Sequence, residues 1–256
     1  MTLEHMTHSE RRKATRAFPV LISAPQSSGK TYAMEQLSVE DKSRTVYVCF
    51  ETKHLPNDDW SDYRTVIMIK PPGVIPPERA HLYTNYDNIK FKTPEEMKIQ
   101  IAATFASDLV DRIVLDSTTS MHSILERHYV VVSKNFTVWT MYAQEILEWL
   151  AIIKENTMHF GKLSYMIGHT VPARNSTSDD ISPYVQIKGS VFPIGSYEGN
   201  FNTCLTMEDH KFIADNDNSY DPTRIAASLS PYESETNSLA IVEEDLIGLY
   251  IKPKEA

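Results

Sequence analysis

Cysteine is almost absent from this chain, and no apolar run approaches the length needed to cross a membrane. The two cysteines, Cys49 and Cys204, lie in segments that read as β-strands, and no Cys/His cluster has metal-site spacing. We therefore expect free core thiols, no structural zinc and a reducing compartment. The first residues also lack the apolar segment of a secretory signal, so we expect a cytoplasmic protein with no membrane partner.

Basic residues are outnumbered: 25 Lys and Arg stand against 34 Asp and Glu, a formal net charge of −9. This balance argues against a generic nucleic-acid binder, which carries a basic footprint. A basic cluster does occur near the N-terminus, at Arg11, Arg12, Lys13 and Arg16. It is either a nucleic-acid-binding arm or a solvated terminus; we favour the second and predict that residues 1–17 are flexible.

The most informative motif is A-P-Q-S-S-G-K-T, which follows an apolar strand-like segment at 18–22 and precedes a helix-forming stretch at 31–37. A glycine-containing turn points successive backbone N–H groups at phosphate oxygens, and the next helix directs its positive end at the same anion. A Ser/Gly turn that caps a helix, with a solvated lysine, is the alternative. We predict a nucleotide phosphate site formed by Ala24, Pro25, Gln26, Ser27, Ser28, Gly29, Lys30, Thr31 and Tyr32.

Individual positions of this motif have distinct expected roles. Lys30 places a positive charge on the β- and γ-phosphates, and the Thr31 hydroxyl is a ligand for Mg²⁺. Ala24 stands where such loops usually have glycine, so we expect ordinary backbone angles there.

Two acidic residues follow predicted strands elsewhere in the chain. The segment 110–117, V-D-R-I-V-L-D-S, is a short apolar strand that ends in Asp116, which we predict to organise Mg²⁺ together with Thr31. Asp111 precedes that strand and reads as a solvated loop acid without a role. The strand at 45–50 ends in Glu51, at the edge where open α/β sheets bind ligands. Glu51 is therefore either the base that orients the attacking water or a surface residue.

In order and spacing these three motifs resemble the RecA superfamily of recombinase-like ATPases. The resemblance implies an α/β fold with a mostly parallel twisted sheet flanked by helices, an ATPase core over 18–214, and ATP and Mg²⁺ as ligands. It identifies Glu51 and Lys30 as catalytic, and it places His169, at the end of the strand-like run 163–170, at the position that senses the γ-phosphate. Bacterial members usually carry an amide side chain there. The compact chain is similar to short bacteriophage members implicated in single-strand annealing, which implies a bacterial host cytoplasm.

The resemblance also implies a homo-oligomer, ring or filament, acting on single-stranded DNA, with a single-strand-binding or other recombination protein as a further candidate partner. Residues 121–136 occupy the position of the first DNA loop, and the polar segment 171–200 that of the second. Cations and aromatic rings suit the stacking of single-stranded bases. A contact with a neighbouring subunit's γ-phosphate is the alternative for the second loop. The candidates are Arg127, Lys134, Arg174, Lys188 and Phe192.

Two long helices and a C-terminal extension complete the prediction. A capping box with proline at the first helical position predicts a helix at 93–109, and an apolar stripe predicts another at 137–154. The stripe includes aromatic residues, which at helical spacing we assign to the core rather than to base stacking. Residues 215–256 read as a polar extension that ends in a strand-like apolar run at 245–251 and packs one strand or helix on the core or on a partner.

Overall fold

The computed structural model describes residues 6–51, 60–69, 87–131, 137–174, 181–185, 187, 196–215, 224–225 and 231–250. Within them, a mixed sheet of eleven strands has the order β11-β9-β8-β1-β6-β5-β2-β3-β4, with β10 paired to β8 and β7 to β6. The seven strands from β8 to β4 in this order are mutually parallel, and the others are antiparallel. The predicted fold class, a mostly parallel α/β sheet flanked by helices, is confirmed.

The bounds of the elements follow. The strands are β1 Val20–Ala24, β2 Thr45–Cys49, β3 Thr65–Ile69, β4 Ile89–Lys92, β5 Arg112–Asp116, β6 Leu163–Arg174, β7 Ile181–Val185, β8 Thr203–Glu208, β9 Lys211–Ala214, β10 Arg224–Ile225 and β11 Tyr232–Glu233. The helices are α1 His8–Ala14, α2 Lys30–Glu35, α3 Val39–Ser43, α4 Pro94–Phe105, α5 Thr118–Glu126, α6 Thr137–Phe160 and α7 Leu239–Tyr250. Short 3₁₀ turns lie at Thr15–Ala17, Trp60–Asp62 and Glu198–Asn200, and a π-helical turn at Arg127–Val131 follows α5.

The central strands are buried on both faces, as parallel strands covered by helices must be. Every residue of β1, β2 and β5 is buried. Alternate residues of these strands join two separate cores, one with α1, α2 and α7 and the other with α4, α5 and α6. The two layers of helices leave the carboxyl edge of the sheet to the loops, which is where the predicted site residues lie.

The predicted helices form, with different ends. Thr93 caps α4 in a capping box with Glu96, but the helix ends at Phe105 because the chain turns at Ser107, and Leu109 is exposed. Helix α6 begins where predicted, at residue 137, and continues to Phe160. Its apolar stripe is core, as expected: Tyr142, Ile146, Leu150 and Ile153 are buried.

The two cysteines are buried free thiols, Cys49 in β2 and Cys204 in β8, as predicted. Over the described stretches, no helix combines the length and apolar character needed to span a bilayer.

The N-terminal segment differs from the expected flexible arm. Residues 8–14 form α1, which a Thr7–Glu10 capping box begins. Ala14, Thr15 and Ala17 are buried, so this segment is held by the core, and apolar burial outweighs its basic composition.

Asp111 is likewise not the solvated acid that the sequence suggested. It is buried and forms ion pairs with Arg11 of α1 and with Arg44. Burial by itself opposes ionisation, but the Arg44 guanidinium outweighs it and lowers the pKa of Asp111. Asp111 therefore ties α1 to the start of β5.

The C-terminal extension contains a helix where the apolar run 245–251 suggested a strand. Helix α7 packs against α1 and the turn at 15–17. Its Glu243 is buried and accepts hydrogen bonds from the Arg112 guanidinium and, at 2.7 Å, from the Tyr165 hydroxyl. Burial disfavours a charged Arg112, yet Glu243 outweighs that effect and the pKa of Arg112 is raised. The buried ion pair fixes α7 at the amino end of β5, opposite the predicted site.

Replacing Glu243 by alanine is expected to destabilise the protein by about 3–5 kcal/mol, because it leaves the buried Arg112 charge with only the more exposed Asp41, at 3.3 Å, as an acidic partner. The measurement is the urea unfolding midpoint at constant slope. The adjacent Glu244, which is exposed, provides the matched control. Equal midpoints for Glu243→Ala and Glu244→Ala would show that the ion pair does not hold the helix.

Candidate functional site

The predicted phosphate loop lies at the carboxyl end of β1 and runs directly into α2. Gly29 is the N-terminal cap of α2, with φ of 93°, and Ser27 also has a positive φ, 64°. Ala24 is the last residue of β1 and has extended backbone, as expected from alanine at a position where such loops usually have glycine. The non-glycine residue with a strained positive φ is Ser27. A Cβ at Gly29 would meet atoms of Met207 and His210 only at 3.8 and 3.9 Å, so the positive φ, not space, requires glycine there.

The Lys30 ammonium group lies inside this loop. Its Nζ donates to the carbonyl oxygens of Ala24 and Pro25 at 2.8 and 2.5 Å, and to the Ser28 hydroxyl at 3.2 Å. The residue is only 4% exposed. A buried positive charge needs several acceptors, and phosphate oxygens are stronger acceptors than the neutral groups of the loop. The lysine is therefore in a position where it would be the charge partner of any anion that the loop bound.

The side chains of Thr31 and Asp116 are hydrogen-bonded at the carboxyl edge of the sheet. The Thr31 hydroxyl donates to Asp116 Oδ2 at 3.0 Å, and the Tyr47 hydroxyl donates to the same oxygen. Asp116 is 1% exposed. Burial, and then the charge of Asp116, raise the pKa of Tyr47 well above its ordinary value, so the phenol keeps its proton and remains a donor. The carboxylate that the sequence predicted for Mg²⁺ is therefore held beside the end of the phosphate loop.

These oxygens fit a magnesium ion that is bound together with a nucleotide. Mg²⁺ keeps several waters and takes one or two carboxylates plus substrate phosphates. The Thr31 hydroxyl and the Asp116 carboxylate supply oxygen ligands of that kind. No group of three or more His, Cys, Asp and Glu side chains suited to a metal occurs in the described part of the chain, so nothing there indicates a metal site made of protein ligands alone.

Glu51 lies at the same edge, next to the segment that follows Asp116. Its Oε1 accepts hydrogen bonds from the Ser117 hydroxyl, at 2.8 Å, and from the Ser120 hydroxyl. His169 Nε2 is 4.0 Å from the same oxygen. Glu51 is half-buried, with 33% of its side chain exposed, so water has access to it. A carboxylate so placed can orient a water beside a phosphate bound by the loop.

Strand register explains why residues far apart in sequence converge here. Ala24 of β1 pairs with His169 of β6, and Cys49 of β2 pairs with Asp116 of β5. The Phe50 amide donates to the Asp116 carbonyl at 2.9 Å, which brings Glu51 past the end of β5. Since carboxyl ends of parallel strands share one edge, the two acids, the histidine and the loop lie together.

Four polar residues of this site were not predicted: Tyr47, Ser117, Thr119 and Ser120. Thr119 Oγ1 accepts from the His169 amide at 2.8 Å. The hydroxyl-rich run S-T-T-S directly after Asp116 was a usable signal for three of them. Tyr47 had no such signal, because inside a β-branched strand it reads as core.

Two of the five candidates for DNA or neighbouring-subunit contacts, Arg127 and Arg174, lie within the described residues. Arg127 is exposed at the end of α5, where residues 121–131 form helical turns and not the expected loop. Arg174 ends β6, which pairs with β7, so the polar segment after His169 begins as a hairpin and not as a loop. Lys134, Lys188 and Phe192 lie outside the described residues, as does the proline-rich segment 71–77.

Comparisons with known proteins supply no family. No family model and no curated protein matches the chain. Among solved structures, the chain is similar to a KaiC-like protein, PH0186, from the archaeon Pyrococcus horikoshii, with 12% identity over 84% of each chain and a TM-score of 0.38. The nucleotide site is inferred from the geometry of the loop and its carboxylates and not from this likeness.

Proposed function

We propose that this protein is a Mg²⁺-dependent ATPase with a RecA-like core. The observation that carries the proposal is the convergence of the Lys30 loop, the Thr31–Asp116 hydrogen bond and Glu51 at one sheet edge. Each of these features also has a structural explanation on its own. A triphosphate site requires all three features together, at the edge where α/β sheets bind ligands.

The chain's own groups divide the work as follows. Backbone amides of residues 26–30 and the Lys30 ammonium would bind the phosphates, and Thr31 and Asp116 would hold Mg²⁺. The ion would supply positive charge that offsets the negative charge of the phosphates. Glu51 orients the attacking water and accepts its proton. His169, beside Glu51, is placed to respond to the γ-phosphate.

We further propose that ATP drives assembly of several copies on single-stranded DNA for annealing or recombination, as a phage-encoded protein in a bacterial cytoplasm. Support comes from the path of β6, which carries His169 and continues without interruption into the β6–β7 hairpin. A ligand that bound the β6–β7 hairpin would therefore be connected to His169 through a single strand.

The acidic balance favours a second candidate, an ATPase that remodels or regulates a protein partner. The chain's net charge of −9 repels a nucleic-acid backbone, and the basic cluster at residues 11–16 offsets that charge only locally. A third outcome is a module that assembles with ATP and barely hydrolyses it.

One experiment separates these functions: ATP turnover and particle assembly, with and without single-stranded DNA. Because phosphate contacts are salt-dependent, it is run at about 50 and about 200 mM salt. We expect DNA to stimulate turnover, more strongly at low salt. Turnover indifferent to DNA selects the protein-directed ATPase, and assembly without turnover selects the nucleotide switch. No turnover and no ATP-dependent assembly would contradict the nucleotide proposal altogether.

A further inference from the structure

Among the residues that the structure describes, the contacts of the Glu51 carboxylate converge on one of its two oxygens. Every contact that involves described residues falls on Oε1: the hydroxyls of Ser117 and Ser120, and His169 Nε2 at 4.0 Å. A glutamate side chain has three rotatable bonds, so a half-exposed one samples many rotamers. Hydroxyl donors on one oxygen restrict that sampling and keep Oε2 for another donor.

The two serines are not equivalent. Ser117 is the N-terminal cap of α5, and its oxygen accepts from the Ser120 amide at 3.2 Å. Its single hydroxyl proton is also within reach of both Glu51 Oε1, at 2.8 Å, and Ser120 Oγ, at 3.0 Å. One proton serves one acceptor at a time. The Ser120 hydroxyl proton is available for Glu51, and the Ser120 side chain does not cap the helix. Ser120 is therefore the more constant hydrogen-bond donor to Glu51 Oε1.

Helix α5 is also attached to β6, the strand that carries His169. The neighbouring Thr119 Oγ1 accepts from the His169 amide at 2.8 Å. In addition, Thr118 Oγ1 donates to the Ile167 carbonyl at 3.1 Å in the same strand. Thr119 Oγ1 also donates to the His169 carbonyl at 3.5 Å, so the first turn of α5 is tied to β6 by three hydrogen bonds and Ser120 stands on a rigid support.

We propose that Ser120 is a positioning residue for Glu51: its hydroxyl holds Oε1 so that Oε2 orients the attacking water. This inference rests on the proposed ATPase function, because it concerns the same site. Ser120 contacts neither phosphate nor water in this scheme. Its removal therefore affects the chemical step and leaves nucleotide affinity unchanged.

The test compares Ser120→Ala with Ser123→Ala, a matched control on the same helix. Ser123 is exposed, and its hydroxyl donates to the Thr119 carbonyl at 3.1 Å. We expect Ser120→Ala to lower kcat about tenfold or more, since small misplacements of catalytic groups have effects of this size. KM and the affinity for fluorescent mant-ADP should stay within about twofold of the parent. Ser120→Thr, which keeps the hydroxyl, should restore kcat.

A double variant separates positioning from a general loss of structure. In a Glu51→Gln background, Ser120→Ala should have no further effect on kcat, because residues acting as a unit are non-additive. If Ser120→Ala unfolds, Ser120→Cys replaces it in the same comparison, since a thiol has similar size and is a weak donor. Equal kcat for the variants at 120 and 123, parallel changes in kcat and KM, or full additivity with Glu51→Gln would each overturn the inference.

The two proposals fail differently. If the parent hydrolyses ATP and Lys30→Ala does not, while Ser120→Ala matches the parent, only the positioning role is lost. If the parent and Lys30→Ala show the same background turnover, the ATPase function is lost and the positioning role with it.

Discussion

Replacing Lys30 by alanine is expected to reduce ATP hydrolysis to background. The ammonium group lies inside the phosphate loop, 2.8 Å from the Ala24 carbonyl oxygen. A preorganised positive charge that is directed at the transferred phosphate acts in a site with little water. Loss of one such hydrogen-bond donor lowers kcat by about 10²–10³-fold. Alanine also removes phosphate affinity, so KM for ATP should rise together with the fall in kcat. The measurement is steady-state phosphate release over a range of ATP concentrations.

The control for this prediction is Lys154→Ala. Lys154 is an exposed cation on α6, on the far side of the sheet from the loop, so its removal changes the net charge equally. Circular dichroism establishes that both variants are folded. Parent-like turnover by a folded Lys30→Ala variant would remove the phosphate-site assignment.

Replacing Glu51 by glutamine is expected to separate binding from hydrolysis. The amide oxygen can still accept hydrogen bonds from Ser117 and Ser120, so the side chain keeps its place. It has no basicity, however, and general-base catalysis is worth about 10²–10⁴-fold. We therefore expect ATP affinity within about twofold of the parent and kcat lower by about 100-fold or more. Mant-ATP titration and single-turnover hydrolysis measure the two quantities independently.

Glu155→Gln is the matched control, since Glu155 is an exposed acid on α6 remote from the site. Unchanged turnover in Glu51→Gln would show that Glu51 is not the general base. His169, whose Nε2 lies 4.0 Å from Glu51 Oε1, would be the next residue to test.

Local sequence patterns predicted those parts of the site that short segments encode. The phosphate loop needs a strand, a turn with glycine and a helix in immediate succession, and all three are visible between residues 18 and 37. Glu51 and Asp116 each end a short apolar strand, a pattern that already indicates the carboxyl edge of a parallel sheet. Their convergence was therefore foreseeable, whereas their distances were not.

Residues whose environment depends on distant partners were misread. Asp111 looks like a loop acid because its partners, Arg44 and Arg11, lie 67 and 100 residues away in the chain. The apolar run in α7 resembles a strand, yet tertiary packing and the contact between Glu243 and Arg112, 131 residues apart, select a helix. Local propensity carries no information on such pairs.

The hydroxyl groups around the acids illustrate the same limit within the site. Tyr47 is a core tyrosine by every local criterion, and only the pairing of β2 with β5 brings its hydroxyl to Asp116. Ser120 contacts Glu51 because the first turn of α5 faces the end of β2, which depends on strand order. Motifs thus identify charged groups, and the fold identifies the residues that position them.

The most direct test of the account is a titration of the parent protein with mant-ATP, in the presence and absence of Mg²⁺, repeated with Asp116→Asn. The account predicts saturable binding that Mg²⁺ strengthens by about tenfold or more in the parent, and loss of this Mg²⁺ effect in Asp116→Asn. Absence of saturable binding, or the same Mg²⁺ effect in both proteins, would contradict a nucleotide site built from the phosphate loop and Asp116.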